Sequence, residues 1–128
     1  YEEAKMYAQA RKAFGKEICN HQAVQFMVVD MATKLDAARL LVYRAAGGAG
    51  QGLPSIYEAS MAKAFANEMV VDVTNKAMQV FGGYGYSTEF PLERMYRDAK
   101  AWGVAGGTIE MLKIGMASMI FGKRFDQR

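Results

Sequence analysis

The sequence predicts an all-α protein folded as an up-and-down four-helix-type bundle. Three observations support this prediction: apolar residues recur at steps of three and four, glycine-rich runs separate the periodic stretches, and β-branched residues do not alternate. The chain has 128 residues, which is the size of one domain, and 52% of them are hydrophobic. This composition excludes a disordered chain, and we interpret residues 1–128 as a single helical domain.

Turn and cap residues mark the ends of the predicted helices. Phe14 and Gly15 break the first periodic stretch, and Ser55 and Glu58 have the spacing of a capping box at the start of the third. Pro91 suits the first turn of the fourth helix. The predicted helices cover about residues 1–12, 20–47, 55–81, 91–101 and 108–122.

The second and third helices are the longest, each about 40 Å at a rise of 1.5 Å per residue. Only about seven residues join them, so we expect them to lie antiparallel, each burying one apolar stripe. The chain also has ten methionines. We interpret them as core packing, with a flexible acyl-binding pocket as the alternative.

Composition excludes several other classes of protein. The net charge of +3 is small and spread along the chain, which does not favour nucleic-acid binding. Cys19 alone excludes an internal disulfide, and with the single His21 it cannot build a zinc site, so no metal is expected. No apolar run is long enough to span a membrane.

The first residues predict that this chain is a fragment. Residues 1–7 lack the charged segment and apolar stretch of a signal peptide, and they resemble the middle of a helix. We therefore expect further domains upstream, and no targeting signal is visible. Nucleophilic catalysis by a triad is not supported either, because His21 has no nucleophile near it in sequence.

Four segments, taken together in this order and spacing, carry a specific pattern. The sequence resembles the C-terminal α-helical domain of the acyl-CoA dehydrogenase family over essentially its whole length. The first segment is RKAFGK at 11–16 leading into HQAVQ at 21–25, the second is EASMAK at 58–63, the third is QVFGGYGY at 79–86, and the last combines PLER at 91–94 and RDAK at 97–100 with GGTIE at 106–110.

The resemblance implies a flavoprotein oxidoreductase with an N-terminal helical domain and a middle β domain before this bundle. It implies a homotetramer built as a dimer of dimers, in which FAD lies between the middle domain and the bundle and a neighbouring subunit completes its site. The implied reaction is α,β-dehydrogenation of an acyl-CoA in fatty acid metabolism, with electrons passing to electron-transfer flavoprotein. The implied location is the cytoplasm of a bacterium or the mitochondrial matrix of a eukaryote.

By the same resemblance, individual residues match positions that contact the cofactor. Arg11 matches an arginine on the FAD pyrophosphate, for which a guanidinium fork is suited. Phe14 matches an aromatic side chain near the cofactor, and Gln22 an amide on its adenosine part. The remaining matched positions are Gln79, Gly82 and Gly83 beside the neighbour's FAD, and Thr108 and Glu110 after the catalytic segment.

The chain departs from the family at the catalytic base. Many members have Tyr-Glu-Gly-Thr where this chain has Ala105, Gly106, Gly107 and Thr108, and glycine cannot accept a proton. In the isovaleryl and long-chain branches the base is a glutamate on the preceding helix. Here that position would lie upstream of Tyr1, so no catalytic residue is assigned within the chain.

Glu2 and Glu3 are the nearest substitutes in sequence, but by family spacing they sit near the end of that helix. The small residues Ala105 and Gly106 predict a wider pocket that accepts a branched or bulkier acyl group. Three hypotheses remain: an acyl-CoA dehydrogenase with its base upstream, a flavin monooxygenase or oxidase on the same fold, and a non-catalytic paralogue. For the chain alone we expect helical folding but weak FAD binding and no activity.

Overall fold

The computed structural model describes residues 1–125, and it confirms the helical bundle. A short antiparallel hairpin interrupts the helices near the start of the chain, and a single 3₁₀ turn at Ile18–Asn20 follows it. The elements are α1 (Glu2–Ala10), β1 (Lys12–Ala13), β2 (Lys16–Glu17), α2 (Gln22–Gly47), α3 (Ile56–Phe81), α4 (Gly83–Tyr86), α5 (Leu92–Trp102) and α6 (Ile109–Phe121).

The two long helices α2 and α3 lie antiparallel, as predicted from their short connection. Lys34 on α2 pairs with Asp72 on α3 at 2.8 Å, and Arg44 pairs with Glu58 at 3.7 Å. As residue numbers rise along α2, the numbers of the paired residues on α3 fall. Only antiparallel helices show this pattern. Helix α3 is the centre of the bundle because α1, α2, α5 and α6 all pack against it.

Alanine dominates the buried core. Of the 13 buried apolar residues, eight are alanines, and Met31 is the only buried methionine within residues 1–125. The prediction that methionines pack in the core holds in part: besides Met31, the half-buried Met27, Met69 and Met78 pack against the core cluster. Close contact between helices leaves room only for methyl groups at most of the fully buried positions. Four methionines are 42–60% exposed, namely Met6, Met95, Met111 and Met119.

Helix α6 carries apolar residues on most of its surface, yet none of its residues is buried. Ile120 and Phe121 at its end are 63% and 67% exposed, and on α2 Phe26 and Tyr43 are 60% and 66% exposed. These helices therefore present more apolar surface than the bundle itself covers. Within the described part of the chain, no helix has both the length and the apolar character needed to cross a membrane.

The first helix is shorter than predicted, because a hairpin follows it. Helix α1 ends at Ala10, and Lys12 pairs with Glu17 across a two-residue loop. The loop residues Phe14 and Gly15 have φ of 52° and 80°, as a tight hairpin turn requires. Phenylalanine rarely adopts a positive φ, so a phenylalanine at position 14 did not indicate a hairpin turn in the sequence.

Two other helix ends also differ from prediction. Ser55 precedes α3 without a side-chain capping bond, and the Glu58 carboxylate pairs with Arg44 on α2 instead, so the predicted capping box is not formed. Gly82 ends α3 with φ +60°, as predicted. The residues after Gly82 do not only cap α3, however, because Gly83–Tyr86 form the short helix α4.

Asp72 joins α2 and α3 by accepting hydrogen bonds from Lys34 and Lys76 at 2.8 and 2.7 Å. These two ammonium groups, Lys34 first, lower the pKa of the Asp72 carboxyl. The substitution Asp72→Asn is expected to lower the free energy of unfolding at pH 7, because it removes the charge that both lysines bond. The loss is expected to be only about 1 kcal/mol, since water screens this partly exposed network.

The effect of Asp72→Asn is expected to depend on pH. Because the folded pKa is depressed, the ion pairs contribute fully above the unfolded value of about 3.9 and are lost as pH falls through the folded value. Urea unfolding at several pH values should show the gap between parent and variant narrowing in acid. Asp36→Asn, at an exposed position on α2, is the control. A gap that stays constant down to pH about 3 would contradict the linkage.

Candidate functional site

A cleft of about 590 Å³ opens where the end of α1 meets the end of α3 and the start of α4. It brings together four of the predicted site residues, although 68 residues of chain separate Arg11 from Gln79. The residues that line it are Tyr7, Arg11, Ile18, Gln79, Val80, Phe81, Gly82, Gly83, Tyr84, Ser87 and Glu89.

Arg11 has a fixed backbone and an exposed side chain. Its N–H donates to the Tyr7 carbonyl and its own carbonyl accepts from the Ile18 N–H, both at 2.8 Å. Among residues 1–125, no carboxylate oxygen lies within 4 Å of its guanidinium. Arg97 contrasts with it, because both of its bonding nitrogens are used by Glu93 on α5. Arg11 is thus placed to bind an anionic ligand in the cleft.

Two adjacent glycines form one edge of this cleft. A Cβ atom added to Gly82 or Gly83 would meet nothing within 4 Å, so both positions face open space. Gly82 also has φ +60°, which favours glycine there. Side chains at these positions would extend into space that a ligand could use, and the observed residues leave the backbone open to close approach.

Stacked aromatic rings support the floor of the cleft. The rings of Tyr7 and Phe81 lie parallel with centroids 4.0 Å apart, and Phe90 meets Phe81 edge to face at 5.2 Å. Tyr84 meets Phe90 in the same way at 5.5 Å. This packing ties α1, α3, α4 and the following loop together and holds the lining residues in place.

Several lining residues were not predicted. Tyr84 lies inside the glycine-rich run, which could have indicated it, whereas Ser87 and Glu89 belong to no motif. The Glu89 N–H donates to the Ser87 hydroxyl at 3.2 Å, which shapes the loop at the cleft mouth. Glu89 adds a negative charge to a cleft whose positive charge comes from Arg11.

Phe14 and Gln22 do not line the cleft. Phe14 is 96% exposed at the hairpin loop, with its ring 6.0 Å from that of His21. Gln22 is the first residue of α2 and is also exposed. Both lie near the 3₁₀ turn that contributes Ile18 to the cleft, so they extend the same side of the molecule.

Thr108 and Glu110 belong to a second group, at the start of α6. The Thr108 hydroxyl caps this helix by accepting from the Met111 N–H at 3.3 Å. Hydrogen bonds from its own backbone N–H and then from Thr108 lower the pKa of the Glu110 carboxyl, so it is ionised at neutral pH. Thr108 and Glu110 therefore present a hydroxyl and a carboxylate at a helix N-terminus.

The two groups of site residues lie at opposite ends of α3. The loop before Thr108 is bonded to Lys63, near the start of α3, whereas Gln79 lies near its end. Sixteen residues of helix separate Lys63 from Gln79, which is about 24 Å. One copy of the chain therefore places the two groups of predicted site residues in separate regions.

Gly106 has φ +66°, and a Cβ added to it would lie 3.2 Å from the Lys63 ammonium nitrogen. It offers no proton acceptor. Glu2 on α1 accepts a hydrogen bond from Lys5 at 2.9 Å, which lowers the pKa of its carboxyl. Within residues 1–125 no group of three or more histidine, cysteine, aspartate or glutamate side chains is arranged to hold a metal ion.

Gly106→Ala is expected to lower the free energy of unfolding by about 1–2 kcal/mol, because a side chain strains the left-handed backbone there. Gly115→Ala is the matched control, since Gly115 lies within α6 with open space around it. It is expected to raise the free energy of unfolding by about 0.5–1 kcal/mol. Thermal or urea unfolding of both variants tests this, and equal effects of one sign would contradict it.

The fold is a helical domain in which the predicted site residues fall into two separate groups, one in the cleft and one at the start of α6. The family model described as the acyl-CoA dehydrogenase C-terminal domain matches residues 1–121. The chain belongs to the acyl-CoA dehydrogenase family, as the resemblance predicted.

The names of known proteins that are similar to this chain indicate several different activities. The caffeyl-CoA reductase-Etf complex subunit CarC of Acetobacterium woodii is 45% identical over 95% of this chain and 32% of that protein. The 3-sulfinopropanoyl-CoA desulfinase of Paraburkholderia xenovorans is 42% identical over 95% of the chain and 31% of that protein. The structure of butyryl-CoA dehydrogenase from Megasphaera elsdenii is 38% identical, with a TM-score of 0.90 over 94% of the chain and 31% of that protein. The chain thus spans about a third of the length of these proteins.

Proposed function

We propose that the chain is the C-terminal bundle of an FAD-dependent enzyme that dehydrogenates an acyl-CoA thioester between its α and β carbons. The observation that carries the proposal is the cleft that assembles Arg11, Gln79, Gly82 and Gly83. An exposed guanidinium that has no carboxylate partner among residues 1–125 and lies beside two glycines fits a diphosphate, since the fork bonds the oxygens while the glycines allow close approach.

In this proposal Arg11 binds the FAD pyrophosphate, Gln79 and the two glycines lie against the same part of the cofactor, and Phe14 and Gln22 contact its adenosine end. Thr108 and the Glu110 carboxylate contact FAD from the other end of the bundle. Bound FAD would supply the acceptor for the β-hydride of the substrate. The residues of this chain bind and orient the cofactor rather than perform the chemical step.

The separation of the two groups supports a shared site. Because Lys63, which bonds the loop before Thr108, lies about 24 Å along α3 from Gln79, we assign the two groups to different FAD molecules, one of them bound mainly by a neighbouring copy. A homo-oligomer, and in particular a dimer of dimers, would bring them together. The exposed apolar residues on α2 and α6, among them Tyr43 and Phe121, are consistent with surfaces that other subunits or domains cover.

The proton acceptor is proposed to be a glutamate upstream of Tyr1, because Gly106 has no side chain, Glu2 and Glu3 sit near the end of the preceding helix by family spacing, and Glu110 matches a cofactor position. The small residues Ala105 and Gly106 are the basis for proposing a pocket that accepts a branched or bulkier acyl group, although a Cβ at Gly106 would point toward the Lys63 ammonium, 3.2 Å away. Electron-transfer flavoprotein is the proposed acceptor of the electrons, and the name of the Acetobacterium relative places that subunit in an Etf complex.

A second candidate is a flavin enzyme that performs a different reaction on the same fold. Gly106 favours it, because the position lacks the base that dehydrogenation requires. The similar desulfinase also carries a name other than dehydrogenase. Such an enzyme, for example an oxidase or monooxygenase, would be reoxidised rapidly by oxygen, whereas a non-catalytic paralogue would show no flavin turnover.

The test is anaerobic mixing of the full-length, flavin-loaded protein with linear and branched acyl-CoAs, followed at about 450 nm, where oxidised flavin absorbs. Bleaching by one or more acyl-CoAs is the expected result, with branched or bulky ones at least as effective as the shortest linear one. No bleaching by any of them would overturn the proposed reaction. Strict preference for the shortest linear substrate would overturn only the wider pocket.

A further inference from the structure

Lys63 on α3 forms hydrogen bonds to the backbone of the loop between α5 and α6. Gly106 and Gly107 both have positive φ, 66° and 99°, so the backbone turns sharply twice in succession. The Lys63 ammonium donates to the carbonyls of Ala105, Gly106 and Gly107, at 3.0, 2.6 and 3.3 Å. Three successive carbonyl oxygens thus converge on one cation.

This arrangement matches the donor capacity of the lysine. An ammonium group has three N–H donors, and the three carbonyls can accept all of them. Within residues 1–125, no carboxylate oxygen lies within 4 Å of the Lys63 nitrogen, so its charge is balanced by backbone dipoles. One turn later on α3, the Asn67 amide donates to the Trp102 carbonyl at 2.9 Å and holds the start of the same loop.

A glycine pair cannot define this backbone conformation alone, because glycine has many accessible conformations. The Lys63 bonds select one of them. Thr108, which follows the loop directly, caps α6 and belongs to the second group of site residues. The conformation of the loop therefore sets where the Gly106 backbone lies and where α6 begins.

We propose that Lys63 is a positioning residue, which holds residues 105–107 in the conformation that places the acyl pocket wall and Thr108 against the cofactor. This inference rests on the proposed function, since it assigns the loop to the reacting end of that site. Lys63 does not touch the reacting atoms in this assignment. It acts through the three carbonyls, and a neutral side chain of similar length would release them.

The test compares Lys63→Met with Lys113→Met in the full-length, flavin-loaded protein. Lys113 on α6 forms an ion pair with Glu68 on α3. Lys113→Met therefore removes a contact between these two helices and leaves the hydrogen bonds to the loop in place. The first readout is hydrogen exchange at the Ala105 and Ile109 amides, which flank the loop and donate to the Ala101 and Gly103 carbonyls at 3.0 and 3.3 Å. The second readout is the rate of flavin reduction by the acyl-CoA that the parent accepts.

For Lys63→Met, we expect exchange at both amides to accelerate at least about tenfold, because the loop opens locally. We expect kcat to fall at least about tenfold with KM changed less than about twofold, because misplacement of about 1 Å lowers the rate of the chemical step. Lys113→Met should match the parent in both readouts. If Lys63→Met does not fold, Lys63→Gln is expected to show the same two changes.

Unchanged exchange in the Lys63 variant would overturn the proposal, as would faster exchange with an unchanged kcat. The same losses in Lys113→Met would also overturn it, because they would reflect loosening of the helix pair. If no acyl-CoA reduces the parent flavin, the proposed function fails and the positioning role in catalysis fails with it. In that case the exchange data still decide whether Lys63 holds the loop.

Discussion

Replacement of Gly85 by alanine is expected to lower the free energy of unfolding by about 3 kcal/mol or more, or to prevent folding. Gly85 is buried in α4 against the end of α3. An added Cβ would lie 2.4 Å from the Met78 carbonyl oxygen and 2.8 Å from the Met78 Cα. These are backbone atoms of a long helix, so no side-chain rotation can relieve the overlap.

Gly83→Ala is the control for this variant, because Gly83 lies two residues earlier in α4 and a Cβ there meets nothing within 4 Å. Its effect on stability is expected to stay within about 1 kcal/mol of zero. Urea unfolding of the chain and both variants measures the difference. A Gly85→Ala protein as stable as Gly83→Ala would show that α4 can move away from Met78.

Loss of FAD affinity by about 100-fold is expected for Arg11→Met, which corresponds to about 2.7 kcal/mol. Methionine keeps the length of the side chain but removes the charged fork that we assign to the pyrophosphate. Arg11 has no carboxylate partner in the described part of the chain, so stability should change little. The measurement is titration of full-length apoprotein with FAD, followed by flavin fluorescence.

Arg97→Met controls for the removal of a surface arginine, since Arg97 is bonded to Glu93 on α5 and does not line the cleft. It should bind FAD as the parent does. Arg11→Lys is expected to bind with intermediate affinity, because an ammonium keeps the charge but not the bidentate geometry. A dissociation constant for Arg11→Met within about twofold of the parent would remove Arg11 from the cofactor site.

Long-range periodicity made most of the bundle predictable. The apolar spacing and the glycine runs indicated α2 and α3, and their short connection indicated the antiparallel pairing that Lys34 and Asp72 display. The hairpin was missed because Phe14 adopts a conformation that its residue type disfavours. The capping box was wrong because the Glu58 carboxylate meets Arg44 from another helix, a contact that local spacing does not contain.

The site was predictable only where residues follow a family pattern. Arg11 and Gln79 were named from their motifs, and the structure places both in one cleft. Glu89 lies in no motif and enters the cleft through the packing of neighbouring elements. Lys63 meets carbonyls 42 to 44 residues further along the chain. A backbone carbonyl has no residue-specific signature, so no sequence pattern marks its partner.

The alanine-rich core determines which substitutions can report on the packing of this domain. An alanine scan removes nothing at eight of the 13 buried apolar positions, so it would leave most of the interior unmapped. Enlargement reports on these positions instead, because added methylene groups in a closely packed interior cost about 1–3 kcal/mol each time they force helices apart. Sequence change in this interior is therefore limited by side-chain volume, and glycine and serine are the replacements whose size best fits it.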